Sequence, residues 1–263
     1  MRVTVAGHEV YAYTGSRVPE PALPAIVFLH GAGNDHSVWA LQSRYFAHHG
    51  FNTLAVDLPG HGRSEGAALT SVEALADWLW AFVDAAGAAK VAFAGHSLGS
   101  LTALEAASRA PERVTHLALL GPAVPMVVSD MLLAAAKADD HVALELINGW
   151  SFSPAKQLGS NRQPGVWMMG NAMRLMERMH PGVLHADLAA CHAYANGLAA
   201  ARAVRALTLL ILGARDIMAP PRTAAELGDT LAKSRTVLLP DCGHAMMAEQ
   251  PDAVLDTLRD FLR

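Results

Sequence analysis

The stretch Gly95-His96-Ser97-Leu98-Gly99 sets a serine between two glycines, and two later loops hold the partners such a serine needs to react. A serine hydroxyl is a weak nucleophile at neutral pH unless a base removes its proton, and an imidazole base needs an acid to orient it. Asp216 in "GARD" and His244 in "DCGH" provide that pair, in the chain order Ser, Asp, His. The chemistry predicted is acyl transfer to water. Ser97 attacks a carbonyl, His244 takes and returns the proton, and Asp216 holds the imidazole. The resulting oxyanion requires main-chain N–H donors. Leu98, directly after the serine, is expected to give one, and Ala32 in His30-Gly31-Ala32-Gly33 the other, with Gly33 as the one-residue alternative. His30 reads as a ring bracing this loop rather than as a second base, and is also a candidate for the substrate pocket. The scheme needs no cofactor and no metal, and its partner is a small-molecule ester.

What sets Ser97 apart from the other serines is its surroundings. The run "KVAFAG" before it has the length and composition of a buried strand, and "HSLGSLTALEAASRA" has helical spacing up to Pro111. A sharp strand-to-helix turn lifts a side chain above the sheet edge, and only small residues two before and two after it avoid neighbouring backbone. The competing reading is a serine that merely caps the helix. Asp216 falls just beyond "LTLLIL" and His244 just beyond "RTVLLP", so both are expected at the same sheet edge. Asp241 follows its strand too closely and belongs to the turn presenting His244. After "VTHLALLG" no acid occurs before Asp130.

These runs belong to a regular series. "RVTVAG" and "HEVYAYTG" read as an N-terminal two-stranded ribbon, and "PAIVFLHGAG", "NTLAVD", "KVAFAG", "VTHLALLG", "LTLLIL" and "RTVLLP" as the remaining strands of a sheet of about eight. Helical patterns separate them, among them "VEALADWLWAFVDAAG", which Thr70 or Ser71 could cap. Strands alternating with helices across short loops predict a mostly parallel, doubly wound α/β sheet. The alternation breaks between Pro122 and Arg205, where only helical patterns occur. Residues 1–121 and 206–263 are therefore expected to form the core domain, and residues 122–205 a helical cap inserted after the sixth strand.

Composition narrows the class. The 263 residues are 52% hydrophobic and 17% charged, enough for a buried core in a single domain, and a net charge of −4 leaves no basic face for nucleic acid. The longest apolar run is too short to span a bilayer, and the N-terminus lacks a signal peptide's apolar core. A soluble, cytoplasmic protein is expected. Cys191 and Cys242 read better as free thiols than as a disulfide. His180, His185 and His192 lack the spacing of a metal site.

Together, "HGAG" at 30–33, "DLPGHGRS" at 57–64, "GHSLG" at 95–99, "GARD" at 213–216 and "CGH" at 242–244 resemble the α/β-hydrolase superfamily over essentially the whole chain. The resemblance implies a turn after the fourth strand for "DLPGHGRS", with Asp57 and His61 as structural or pocket-rim residues, and a cap after the sixth strand. Ser100 departs from the second glycine of many relatives. Serine at the elbow argues against dehalogenases and epoxide hydrolases of this fold, which use a carboxylate nucleophile. A carboxylesterase acting on small, largely apolar esters is the leading expectation. A C–C hydrolase of ring-cleavage (vinylogous diketone) products or an enol-lactonase would carry the same three residues, although "HGAGNDHSVW" matches the longer glycine-rich loop of C–C hydrolases poorly. A non-enzymatic small-molecule receptor is the third reading.

Substrate choice is expected to reside in the helical insertion. "GVWMMGNAMRLMERM" places Val166, Met169, Met173 and Met176 at helical spacing, with Asn171, Arg174 and Arg178 on another face. The stripe reads either as a face packed on the main domain or as a flexible apolar pocket. Trp150, Trp167 and Phe152 are further candidates for its lining.

Overall fold

The computed structural model describes residues 1–159 and 165–263. Its sheet has eight strands in the order β1-β2-β4-β3-β5-β6-β7-β8. β1 (Arg2–Val5) and β2 (His8–Tyr13) form an antiparallel hairpin. Ala6 and Gly7 at its turn both have left-handed φ, 49° and 85°, as a tight two-residue hairpin requires. β2 also runs antiparallel to β4 (Asn52–Val56). Every other pairing is parallel, through β3 (Ala25–Leu29), β5 (Val91–His96), β6 (Val114–Leu120), β7 (Leu207–Gly213) and β8 (Ser234–Leu239). Their C-terminal ends therefore share one edge, the edge where open α/β sheets bind ligands.

The central strands are apolar on both faces because both faces are covered. Along β3, Val27 and Leu29 enter the hydrophobic cluster on one side, and Ile26 and Phe28 the cluster on the other, the period-two alternation of a pleated strand. The first side is covered by α2 (Val72–Ala85) and α3 (Leu98–Arg109), the second by α1 (Ala40–Ala47) and α12 (Pro251–Phe261). Ser71, not Thr70, starts α2, its side chain accepting from the Ala74 amide, the contact that ends a helix's unsatisfied donors.

Between β6 and β7 the described chain is helical: α4 (Asp130–Lys137), α5 (His141–Ser151), α6 (Pro154–Gln157), α7 (Met168–Met176), α8 (Val183–Ala193) and α9 (Gly197–Ala203). α9 packs on α3 and on α10 (Ala225–Thr230), within the helix layer of the sheet, whereas α4, α5, α7 and α8 pack on one another. Buried Glu105 of α3 accepts from the Tyr194 hydroxyl at 2.7 Å and the Asn196 amide at 2.9 Å, which anchors the end of this stretch to the core. Among the described residues no helix is long and apolar enough to cross a membrane. Cys191 and Cys242 are free and buried, and burial pushes both thiols up.

Candidate active site

Ser97 joins β5 to α3 with φ 53° and ψ −119°, a conformation an L-residue adopts only when its surroundings impose it. The constraint is close packing. A Cβ on Gly95 would strike the Gly99 carbonyl, and one on Gly99 would strike the carbonyls of Leu29 and His30. The Ser97 amide donates to the Leu120 carbonyl at 2.9 Å, tying the turn to β6. Ser97 occupies the N-cap position of α3, yet its side chain makes no capping hydrogen bond. It faces a cavity instead.

His244, in the turn after β8, lines the same cavity. Its Nδ1 lies 2.6 Å from Asp216 Oδ2, and both residues are buried. Asp216, just past β7, accepts through Oδ1 from the amides of Met218 and Ala219 at 2.9 and 2.8 Å. Burial pushes the Asp216 carboxyl up, but His244 and the two amides outweigh it and hold the group below the ordinary carboxylate range. Asp241 has a left-handed φ of 51° and pairs with Arg215 at the surface, so it shapes the turn and lies apart from the imidazole. His96, beside the serine, supports this loop. Its Nε2–H donates to the His244 carbonyl at 2.9 Å, and burial together with the neighbouring His244 pushes it down to about 3, so it stays neutral.

Across the cavity, Ala32 lines the wall while the Gly33 amide is already taken, donating to Asp187 Oδ2 at 2.9 Å. That occupancy favours Ala32 over Gly33 as the free donor. Leu98 opens α3, and a first-turn amide has no intrahelical acceptor. His30 does not line the cavity. It is fully buried, its Nδ1–H donating to the Gly31 carbonyl and its Nε2 accepting from the Leu58 amide at 3.1 Å. Burial and nearby His61 lower it to about 4, which keeps the ring neutral, as this donor–acceptor pair needs. Of the two readings of His30, the geometry supports the brace.

The cavity holds about 730 Å³, within the range of small-molecule sites. Trp150 and Phe152 line it, as do Val166 and Met176, whereas Met169, Met173 and Trp167 do not. On α7 Met168, Asn171, Ala172, Arg174 and Leu175 line it together with Met176, so the polar Asn171 and Arg174, with Arg178 beyond the helix, face the cavity beside apolar positions, while Met169 and Met173 of the stripe turn away. Two contacts hold α7 in this position. Asn148 of α5 donates to the Met169 carbonyl at 3.0 Å, and the Trp167 ring folds over Gly170, leaving it 73% exposed.

Among the described residues one grouping, Asp35, His36 and Asp57, brings metal-ligating atoms together. Its oxygens are already committed. Asp35 holds the Ser37 amide and hydroxyl, and Asp57 holds the amides of His36 and Arg63 and the His36 ring. The grouping orders loops.

A sequence profile of the alpha/beta hydrolase fold matches residues 24–251. The chain belongs to the alpha/beta-hydrolase family. The pimeloyl-[acyl-carrier protein] methyl ester esterase of Aromatoleum aromaticum is 31% identical over 254 residues, covering 91% of this chain and 98% of the relative. That of Nitrosomonas europaea is 29% identical over 248 residues, covering 87% and 92%. Among solved structures, the enol-lactonase from Burkholderia xenovorans LB400 superposes with a TM-score of 0.88 at 26% identity, over 100% of this chain and 99% of that one. A thermophilic esterase from Thermogutta terrifontis shares the fold, with a TM-score of 0.85 at 20% identity and coverage of 100% and 97%.

In this alpha/beta hydrolase three further residues shape the site, none of which the motifs reveal. Gly121, at the end of β6 with φ 56°, lies where a Cβ would come 3.0 Å from His244 Cε1 and 3.5 Å from Asp216 Oδ2, so only glycine leaves the pair its room. Glu249, in α11 (Met246–Glu249), accepts from the Gly243 amide at 3.0 Å and the Ser153 hydroxyl at 2.6 Å, joining the histidine loop to the helical stretch. Asp187 of α8 holds Gly33 and also meets His61 Nε2 at 2.9 Å. The one sequence signal for Asp187 is an acid set among Leu184, Leu188 and Cys191 on a buried helix face, since a buried carboxylate needs a partner.

Proposed function

We propose that this alpha/beta hydrolase cleaves carboxylic esters of small, largely apolar substrates through an acyl-enzyme. Ser97 is the nucleophile, His244 the base and then the acid, Asp216 the partner of His244, and the amides of Ala32 and Leu98 the oxyanion donors. The observation that carries the reading is convergence. A serine held in a strained turn with its hydroxyl uncommitted faces the same cavity as an imidazole whose far nitrogen is hydrogen-bonded to a buried carboxylate. The Ser97 oxygen bonds to the ester carbonyl carbon as its proton passes to His244, and the carbonyl π pair moves onto the oxyanion. Collapse breaks the bond to the alcohol, which leaves with the proton from His244, and water repeats the sequence to release the acid. Residues 122–205 act as a cap whose lining, apolar at Trp150, Phe152 and Met168 and polar at Asn171, Arg174 and Arg178, selects the chain, and the setting is cytoplasmic. Full-length likeness to two methyl ester esterases supports an ester substrate.

The test is a series of p-nitrophenyl esters from acetate to dodecanoate, with a fluorophosphonate probe and Ser97→Ala as control. Activity on the series, labelling of the parent and a blank variant are expected. Hydrolysis by Ser97→Ala at the parent rate would refute the assignment. A second reading, enol-lactone hydrolysis, is favoured by the full-length likeness to an enol-lactonase. Including an enol-lactone and a vinylogous diketone decides it: a kcat/KM roughly 100-fold above the best ester, a difference of about 2.7 kcal/mol, would move the substrate class.

A further inference from the structure

Asp187 and His61 are both almost fully buried, 1% and 3% exposed, and they come from distant segments of the chain. Asp187 sits on α8 of the helical stretch and His61 in the loop after β4. Both ring nitrogens of His61 face acceptors, Nε2 the Asp187 carboxylate at 2.9 Å and Nδ1 the Pro59 carbonyl at 3.0 Å. Two acceptors require two N–H donors, so the ring is held as the imidazolium. A buried cation against a buried carboxylate forms a short, directional pair. The same carboxylate oxygen accepts the Gly33 amide at 2.9 Å, one residue after Ala32.

We infer that Asp187, fixed by the His61 cation, is a positioning residue that aims the 30–33 loop so that the Ala32 amide points at the oxyanion. The inference rests on the serine-hydrolase reading of the same cavity. It makes the helical stretch a structural part of the catalytic machinery in addition to a wall of the pocket. A peptide plane is rigid, so the hydrogen bond at the Gly33 amide fixes the carbonyl side of Ala32 and limits how far Ala32's own N–H can swing.

The charged and titratable groups facing His61 are Asp187 from α8, Asp57 from the end of β4 and His30, whose ring centroid is 5.0 Å away. Burial disfavours the His61 cation, but Asp187, Pro59 and Asp57 outweigh it and raise the group above the ordinary imidazole value of 6.5. A raised folded value means the pair is fully formed below that ordinary value and is lost as pH rises through the raised one. Loop alignment is therefore expected to decay on the alkaline side.

The test compares the parent with Asp187→Asn and His61→Gln on p-nitrophenyl acetate, and measures inhibition by phenylboronic acid, whose tetrahedral serine adduct places an anionic oxygen in the same hole. Because removing an oxyanion donor outright costs 10²–10³ in kcat, a misaimed one is expected to cost roughly 10- to 100-fold, with KM changed less than about threefold. The boronate inhibition constant should rise by a similar factor, and the alkaline decay should disappear from both variants. Unchanged kcat in a folded Asp187→Asn would overturn the inference. So would a loss of kcat that tracks lower Tm while the boronate still binds as in the parent, since that marks a purely structural role. Should Asp187→Asn fail to fold, His61→Gln carries the same readouts. Fluorophosphonate labelling of Ser97 separates the two levels: an unlabelled parent sinks the serine-hydrolase reading, whereas a labelled parent with indifferent variants sinks only the role of Asp187.

Discussion

The sheet edge and the helical stretch above it are specified in different ways. At the edge, each side chain of the proposed catalytic set sits within a few residues of a strand end: Ser97 after β5, Asp216 after β7, His244 after β8. A strand's direction fixes where its exit loop lies, so parallel strands gather those loops without any help from the side chains themselves. In the helical stretch, the residues that reach the cavity depend on how each helix is rotated about its axis. For α7, which Asn148 and the Trp167 ring contact, the lining takes Met168 and Ala172 and leaves out Met169 and Met173. The difference teaches that, under the proposed function, reaction class and substrate range are written in separate parts of the chain, one local, the other dependent on packing.

The comparison breaks first at the serine. Ser97→Ala is expected to lower kcat/KM for p-nitrophenyl acetate by roughly 10⁴-fold or more while Tm stays near the parent's. A small loss would mean the sheet edge does not carry the reaction. Next comes Asp216→Asn, which retains the shape but lets the imidazole take the wrong tautomer, with a kcat loss of about 10⁴-fold expected from the analogous change in serine proteases. It also has a pH signature. The folded-state value of Asp216 is lowered, so its contribution to stability is present above the ordinary carboxylate range and is lost as pH falls through the lowered value. Urea midpoints at neutral and strongly acid pH should therefore differ less in the variant than in the parent.

Glu249→Gln probes the seam between the two regions, where one carboxylate holds both Gly243 and Ser153. Loss of charge-assisted bonds in a buried position should cost about 1–3 kcal/mol of stability, read by denaturant unfolding. A variant as stable as the parent would show that the seam is not anchored there. The smallest effects lie in the helical stretch and sharpen its register. Ala172→Trp, on the cavity face, should cut kcat/KM for long-chain esters by roughly tenfold and spare acetate, since a bulky ring removes room for about two or three buried CH₂ groups. Met173→Ala should leave the chain-length profile within about twofold, as changes that do not line the cavity do. If Met173→Ala reshaped the profile and Ala172→Trp did not, the cavity face would be the methionine stripe after all.

Much of the fold was legible because its signals are short-range. Strands buried on both faces are continuous apolar runs, as in "AIVFL", and helices between them break at glycine or proline. The two glycines around Ser97 announce an elbow because the steric conflict they relieve is with residues a few positions away and with one adjoining strand. Asp187 was not legible as a functional residue, because its meaning lies in partners 154 and 126 positions away. His30 could not be sorted between brace and pocket until its two ring nitrogens found Gly31 and Leu58.

By itself, then, the sequence determined an α/β sheet, the turn that exposes Ser97 and the two strand-end loops that carry Asp216 and His244, since each follows from local backbone preference and chain order. Only the tertiary structure decided which amide of the 30–33 loop is left free, which face of α7 meets the cavity, and that an inserted helix grips the loop opposite Ser97. Those outcomes rest on hydrogen bonds and packing between segments far apart in the chain, and such contacts have no local pattern to announce them.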